Sequence, residues 1–498
     1  MAQYAQGNSA RRAHRHTAVQ RLTGALLMLF SLSFLLPIAV DFLYEQNVAG
    51  YFFQAMGLAF SSGALLWWPV RRGHPELKNR DGFLIAALFW IVLSAFGAMP
   101  FYLYANAWPT YISALFEAVS GLTTTGATAV PRSGVDLLPH GIAWYRAQLH
   151  WLGGLGIIVL AVAVLPMLGI GGMQLARAEA PGPMKDARLT PRIVGTARGL
   201  WTVYVLLTGA CVLAYWLLGM PIFDALCNGM STLATGGFST HSESLGYFGS
   251  AGIEFVAIIF MLFGASNFAL HYLAWKERSL RIYFRDTEFR VFLGIVIVMS
   301  ALVCLPLYLA DTYPDLGTVV RKGVFQLVAY GTNSGFATAD PSLWPGYVPM
   351  LLVLATFMVS SSGGTGGGVK VIRLILFVKQ AAREMKRLVH PSAEVAIKLE
   401  GKIVPNDVVY AIGGFFSVYI GFTVVLSFLM MSTGLDPVSA FSAVAACINN
   451  AGRGLYSVYD TVAGVSDFGK CVLMFSMLLG RLEIFTLLIL FTPTFWRR

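Results

Sequence analysis

Charged side chains are scarce in this chain. Only 12% of its 498 residues are Asp, Glu, Lys or Arg, while 56% are hydrophobic. Soluble domains carry about a quarter charged residues. The shortage excludes a solvated globular protein and leaves one that crosses a membrane many times. Cysteine is also scarce: Cys211, Cys227, Cys304, Cys447 and Cys471 form no CxxC pair and sit in apolar runs. They read as small core residues, which excludes a disulfide framework and a zinc site. The histidines (His14, His16, His74, His140, His150, His241, His271 and His390) are scattered and form no HExxH pattern. An intramembrane enzyme would need converging acid, base or metal ligands, so that class is excluded, and His150 and His271 read as packing or interface residues. The phosphate-loop pattern GxxxxGK followed by Ser or Thr is absent. A net charge of +10 would suggest nucleic acid in a soluble protein. Here the placement of the basic residues accounts for it, and no nucleic-acid partner is expected.

What is present is a module written four times. Residues 1–20 are polar, with Arg11, Arg12 and Arg15, and no small-residue cleavage site follows the first apolar run, so a retained span is expected. Apolar segments at about 22–44 and 47–69 precede a basic loop containing Arg71, Arg72, Lys78 and Arg80. Then each module has a first span (M1), a half-span (P), a glycine turn and a second span (M2). The M1 spans are expected near 82–105, 195–219, 289–310 and 408–431, and the M2 spans near 142–168, 252–275, 347–378 and 468–492. Half-spans near 111–122, 222–233, 320–331 and 438–448 are too short to cross a bilayer, which takes about 20 residues. A segment of that length can re-enter and leave on the same side. Irregular backbone at membrane depth survives only where it lines a cavity or is packed in protein, so the four turns should line a shared pore.

The turns themselves are Thr124-Thr125-Gly126, Thr235-Gly236-Gly237, Asn333-Ser334-Gly335 and Asn450-Ala451-Gly452, with glycine-to-glycine steps of 111, 98 and 117 residues. Rings of backbone carbonyls replace water around a dehydrated monovalent cation. Glycine lets the backbone turn those carbonyls inward. Thr, Ser and Asn beside it can add oxygens or hold the loop. Each half-helix would point its partly negative C-terminal end at the pore, which favours cations.

The third M2 is interrupted. Its apolar run breaks at Ser360-Ser361-Ser362-Gly363-Gly364-Thr365-Gly366-Gly367-Gly368 and resumes with Lys370 and Arg373. Such a stretch does not hold a helix. Its backbone must lie inside the protein, which makes it a candidate gate below the turns, or else a plain kink. The other three M2 segments are expected to be unbroken. In the fourth, Arg481 lies ~20 Å from the outer end at the helical rise, close to the ~18 Å depth of Ser360. A charge at that depth should face the interior. It contacts the loop, or sets a positive barrier below the turns, or forms a buried ion pair with another helix. Glu483, two residues on, is not its natural partner.

All but seven of the 35 Lys and Arg fall in the N-terminal tail, loops after alternate spans, the inner end of the third M2 and the C-terminus. Those segments therefore face the cytoplasm. They include Arg177, Lys185, Arg188, Arg192, Arg198, Lys276, Arg278, Arg281, Arg285, Arg290, Lys379, Arg383, Lys386 and Arg387. The seven exceptions are Arg132, Arg146, Arg321, Lys322, Arg453, Lys470 and Arg481, against 14 acidic residues in the same outer and membrane segments. That balance would concentrate cations at the mouth, unless it reflects topology alone.

With SGLTTTGAT at 120–128, WLGGLGIIVLAVAVLPMLG at 151–169, STLATGGFSTH at 231–241, YGTNSGF at 330–336, SSSGGTGGGVK at 360–370, INNAGRG at 448–454 and MLLGRLEIFTLLILF at 477–491, the chain resembles the membrane subunit of Trk-type potassium uptake systems, TrkH-like, within the Trk/Ktr/HKT superfamily. The resemblance implies an all-α polytopic membrane protein with four M1–P–M2 pore repeats in pseudo-fourfold arrangement, preceded by a two-helix N-terminal unit. Its parts are then 1–70, 82–168, 195–275, 289–378 with the gating loop, and 406–495. It implies selective potassium uptake across the bacterial inner membrane, with both termini cytoplasmic and K+ as the transported ion rather than a bound cofactor. It further implies filter glycines at Gly126, Gly237, Gly335 and Gly452, a gate at 360–368, a homodimer embedded in membrane lipid and a cytosolic TrkA-like NAD/ATP-binding regulatory subunit. Glycine in all four repeats matches the potassium-selective pattern of the superfamily. Symport coupled to protons or sodium by alternating access is the alternative, although four same-sense repeats with outer turns argue against alternating access. Arg453 departs from the pattern, because an uncharged residue is expected after the fourth glycine. It would slow cation entry if it faced the ion path, or could turn away and pair with Asp460.

Overall fold

A computed structural model of the chain describes residues 19–71, 79–163 and 193–497. Arg11, Arg12 and Arg15 of the tail, Arg72 and Lys78, the end of the 151–169 motif, and Arg177, Lys185, Arg188 and Arg192 lie outside the described residues. The protein is an all-α polytopic membrane protein. Two helices come first, α1 (Val19–Tyr44) and α2 (Ala49–Trp67). The long first spans of the four modules are α3 (Asp81–Tyr104), α6 (Ile193–Leu217), α10 (Thr287–Leu309) and α14 (Asn406–Met431). Leu206, Leu213, Ile297, Val298, Val424 and Phe428 stand exposed on them. An apolar surface of that extent is stable against lipid, not water.

The half-helices are α4 (Tyr111–Leu122), α7 (Ile222–Leu233), α11 (Leu316–Gly331) and α15 (Pro437–Ile448). Three start on side-chain caps: Thr110, Asp315 and Asp436 accept from the backbone N–H of Ser113, Thr318 and Ser439. Such caps satisfy amides that the first turn leaves unpaired. Most of their residues are buried despite the polar side chains among them, because they pack inside the ring of long helices.

Of the second spans, α5 (His140–Ala163) is continuous over its described length. The second is not: α8 (Ala251–Ala265) and α9 (Phe268–Glu277) meet at 100°. The third is α12 (Val348–Ala355), then the Ser/Gly loop, then α13 (Val371–Val389), which continues without interruption through Lys379, Arg383, Lys386 and Arg387. The fourth is α16 (Asp467–Arg481) and α17 (Phe485–Phe491), bent by 110°. The expectation that only the third M2 is broken is therefore wrong. At Ser266-Asn267 the Asn267 carboxamide oxygen caps α9 by accepting from Ala269 N at 2.8 Å, which rewards ending one helix and starting another. At the fourth break Glu483 and Ile484 take positive φ (54° and 55°), and the Ile484 amide returns to Leu479 O at 2.8 Å, a Schellman closure without glycine.

One apolar cluster joins the N-terminal pair and the first repeat to the fourth, through Phe34, Trp90, Phe116, Leu149, Tyr419, Ile448 and Leu479. A second joins the second and third repeats and the start of α14, through Tyr204, Phe268, Phe292, Val328 and Ile412. The last repeat thus packs against the first. Among the described residues the strands are one short pair, β1 (Lys398–Leu399) with β2 (Lys402–Ile403).

A candidate ion pathway

Each half-helix ends the same way. The amides of Thr124, Thr235, Asn333 and Asn450 bond to the carbonyls of Gly121, Thr232, Tyr330 and Cys447. The amides of Thr125, Gly236, Ser334 and Ala451 reach back to Ser120, Ser231, Ala329 and Ala446 at 2.7–2.9 Å. These are four Schellman closures, which require a left-handed residue at the turn. Thr124, Thr235, Asn333 and Asn450 supply it with φ of 54°, 51°, 61° and 55°. Asn tolerates that region, but a β-branched Thr there is a strained outlier. Two residues on, Gly126, Gly237, Gly335 and Gly452 again have positive φ, at 82°, 86°, 64° and 79°. Alternating left-handed residues break the zigzag of an extended chain, so successive carbonyls need not point to opposite sides.

The four turns form a closed ring in chain order. A Cβ built on Gly126 would lie 1.8 Å from Gly236 O, one on Gly237 2.2 Å from Ser334 O, one on Gly335 2.5 Å from Ala451 O, and one on Gly452 2.2 Å from Thr125 O. Each glycine backs onto the next repeat's carbonyl, and the fourth returns to the first. Polar side chains mostly tie the ring together. Asn450 Nδ2 donates to Thr125 Oγ1 (2.9 Å) and Met477 O (3.1 Å), and Thr332 and Ser334 hydroxyls share a bond at 2.9 Å. Thr124 Oγ1, Asn333 Oδ1 and Asn450 Oδ1 are buried oxygens with no hydrogen-bond partner among the described residues. Buried polar atoms are seldom left so.

Outside the ring is a cavity of about 40 Å³, lined by Gly126, Gly237 and Gly452 together with Arg132, Arg146, His241, Arg453 and Asp460. That volume holds a few waters. The expected acidic excess does not appear on its wall. Instead each cation there has a carboxylate partner: Arg146 to Glu117 at 2.9 Å, Arg132 to Asp460 at 3.0 Å, Arg453 to Asp460 at 3.6 Å. The Glu117 carboxylate is buried and also accepts from Trp108 Nε1, Thr128 Oγ1 and Ala129 N, so it fixes the segment leaving the first turn. Sequence reasoning missed Glu117; its signal was an acid inside an otherwise apolar half-span. Elsewhere Arg321 and Lys322 share Glu254 at 3.1 and 2.8 Å, and Lys470 reaches Asp467 at 3.7 Å and Ser113 Oγ at 3.1 Å. His150 stacks on Phe238 and bonds Ser231, and His271 bonds Tyr283 and the Phe263 carbonyl, so both pack as expected.

Directly beneath the ring lies the loop at 360–368. A Cβ on Gly367 would come 2.0 Å from Asn449 O, and one on Gly366 2.9 Å from Thr332 O. Thr365 Oγ1 donates toward Leu233 O (2.9 Å), and its amide donates to Gly264 O (2.9 Å). The loop therefore touches the C-terminal ends of three half-helices. Its backbone is satisfied by the breaks beside it: Ser361 N donates to Ala265 O, and Gly363 O accepts from Phe268 N. Ser362 N donates to the buried Glu288 carboxylate at 2.7 Å, and Lys370 Nζ donates to Gly366 O. Arg481 is buried at the same level. Its Nη1 donates to Thr365 O (2.9 Å) and its Nη2 to Gly153 O (3.0 Å). A Cβ on Gly153 would in turn meet Leu122 O, the end of α4, at 1.9 Å. Glu483 does not pair with Arg481; it binds Arg373 at 2.6 Å. All four half-helix ends thus converge, directly or through Gly153 and Arg481, on one buried layer of loop and guanidinium.

Comparison with known proteins gives a consistent result. The family model TrkH, described as cation transport protein, matches residues 49–498. The Trk system potassium uptake protein TrkH of Salmonella typhimurium is 48% identical over 96% of this chain and 99% of its own length. The protein of the same name from Halomonas elongata is 48% identical over the same shares. The crystal structure of the potassium transporter TrkH from Vibrio parahaemolyticus superposes with a TM-score of 0.89 at 45% identity, covering 97% of this chain and 99% of that one.

Proposed function

This chain belongs to the TrkH family of cation transport proteins, and on that premise we propose that it takes up potassium through the ring of four turns, with the loop at 360–368 as the gate. The observation that carries the reading is the closed ring of glycines, each seated against the next repeat's carbonyl. Such a ring presents backbone oxygens at fixed spacing around one axis, as a dehydrating filter requires. The half-helix ends add partial negative charge, and the unpartnered oxygens of Thr124, Asn333 and Asn450 suit a cation. The filter residues are Thr124, Thr125, Gly126, Thr235, Gly236, Gly237, Asn333, Ser334, Gly335, Asn450, Ala451 and Gly452. Below them Ser360, Ser361, Ser362, Gly363, Gly364, Thr365, Gly366, Gly367 and Gly368 block the path, and Arg481 holds the block in place while adding a positive barrier. No bond is made or broken in the substrate. The protein works as a homodimer in the bacterial inner membrane with both termini cytoplasmic. A TrkA-like cytosolic subunit that binds NAD or ATP docks on the basic inner face and shifts the loop by binding one of its positions better.

The test is potassium flux into proteoliposomes holding this chain alone, with sodium in competition, for wild type and a variant lacking Gly363–Gly367. Potassium-selective flux that rises in the deletion is expected. Flux indifferent to the deletion would reduce the loop to a structural kink.

A further inference from the structure

The position after each ring glycine is filled unequally. Ala127, Phe238 and Phe336 are buried apolar residues, with Phe238 stacked on His150. In the fourth quadrant the residue is Arg453, and it does not simply turn away to Asp460. Its Nε donates to the carbonyl of Gly335, the ring glycine of the neighbouring repeat, at 2.7 Å. Its guanidinium is held 3.6 Å from Asp460 and 5.1 Å from the Tyr459 ring centroid, while Asp460 is shared with Arg132 at 3.0 Å. The carbonyls of Gly126, Gly237 and Gly452 have no such donor among the described residues. Two guanidiniums on one carboxylate leave a positive excess on this side of the vestibule, and Arg453 lines that vestibule.

Resting on the potassium reading above, we propose that Arg453 sets the affinity of the outer end of the pathway as a tethered competitor for the ion. It does so in two ways. It occupies one of the four ring-glycine carbonyls, so an ion arriving from outside meets three free oxygens at that level. It also fixes a positive charge beside the entry, and like charges repel across a few ångströms even through partly hydrated space. Both effects weaken capture of the ion, and both ease its onward release. A cation donating to a filter carbonyl from the protein side also braces the turn, as a charge-assisted hydrogen bond does. The competitor and the brace make different predictions.

The experiment measures uptake against external potassium for wild type, Arg453→Gln and Arg453→Lys in proteoliposomes, and potassium binding to the purified full chain by isothermal titration. Removal of the charge in Arg453→Gln is expected to lower KM and tighten binding roughly three- to tenfold. Maximal rate should fall or stay level, and the effect should shrink at high ionic strength. Arg453→Lys, which keeps the charge, should return KM toward wild type. An Arg453→Gln variant whose KM and binding are unchanged or weaker overturns the proposal. So does one that loses discrimination against sodium with no gain in affinity, since that is the brace alone. If wild type prefers another monovalent cation, the potassium reading fails, and the same three proteins compared with that cation still decide the role of Arg453.

Discussion

At Gly126 two constraints coincide. Its φ of 82° lies where residues with a side chain are strained, and a Cβ would strike Gly236 O at 1.8 Å. Either one would favour glycine; together they leave no other residue. The same pair of constraints holds at Gly237, Gly335 and Gly452. His241 shows a different residue-scale logic, in the loop between α7 and α8. Its two ring nitrogens face two carboxylates, Asp136 at 3.3 Å and Asp224 at 3.5 Å, with Tyr247 stacked on its face. Only the imidazolium can donate to both. Burial alone would lower its pKa, but the hydrogen bonds and charges of Asp224 and Asp136 outweigh this and raise it above the ordinary value of 6.5. His241 is therefore protonated below that value and loses its charge as pH rises through the raised one. The side chains lining the vestibule and their carboxylate partners are Arg132, Arg146 and Arg453 against Glu117, Asp460, Asp136 and Asp224, one net negative charge, which protonated His241 cancels. Potassium KM should rise about two- to fivefold as external pH falls through the neutral range, since a single unscreened charge near the entry is worth about that much. His241→Asn should flatten the profile. A wild-type KM constant across that range would show that the vestibule charge does not act on entry.

The elements differ in how well the chain announces them. The half-helices and turns are legible, because a short apolar segment closed by a polar residue and a glycine has few other uses at membrane depth. The breaks in the second and fourth M2 were not. Ser266-Asn267 and Leu482-Glu483-Ile484 contain neither glycine nor proline, and their reason to break is tertiary. The first break feeds hydrogen bonds to the Ser/Gly loop, and the second frees Glu483 to pair with Arg373 of α13. Glu288 was equally hidden, as an acid at the start of a span whose partner lies 74 residues away, the Ser362 amide. It suggests an element-scale prediction. Glu288→Ala removes this acceptor, and a hydrogen bond to a charged group is worth about 1.5–3 kcal/mol to the loop in its present position. If the loop is the gate, potassium flux through the chain alone should rise roughly tenfold or more while it remains mostly closed. Wild-type flux from a correctly folded Glu288→Ala protein would mean the loop is held by other contacts or does not gate.

At the scale of the molecule, the filter reading of the closed ring requires that one bound ion touch all four repeats. Spacing along the chain implied four copies around an axis, but their order and the contact of the fourth with the first come only from packing, in the shared cluster of Trp90, Phe116, Tyr419 and Leu479 and in the approach of Gly452 to Thr125 O. A ligand bound only by the folded state stabilises it by RT ln(1 + [L]/Kd), ~2.7 kcal/mol at a hundredfold excess over Kd. Here that energy is distributed over segments from residue 124 to residue 452, so it should be felt by the whole fold rather than by one helix pair. Thermal unfolding of the purified protein should therefore move to higher temperature as potassium replaces choline, with sodium at equal ionic strength giving a smaller shift. The contrast between ions matters because screening of surface charges would treat the two alike. Gly126→Ala supplies the control. Its Cβ must push the first turn from Gly236 O, so this variant should unfold at a temperature that potassium and sodium affect equally. Equal shifts for the two ions in wild type would mean that the ring does not hold a dehydrated potassium ion, and the filter assignment would fall with it.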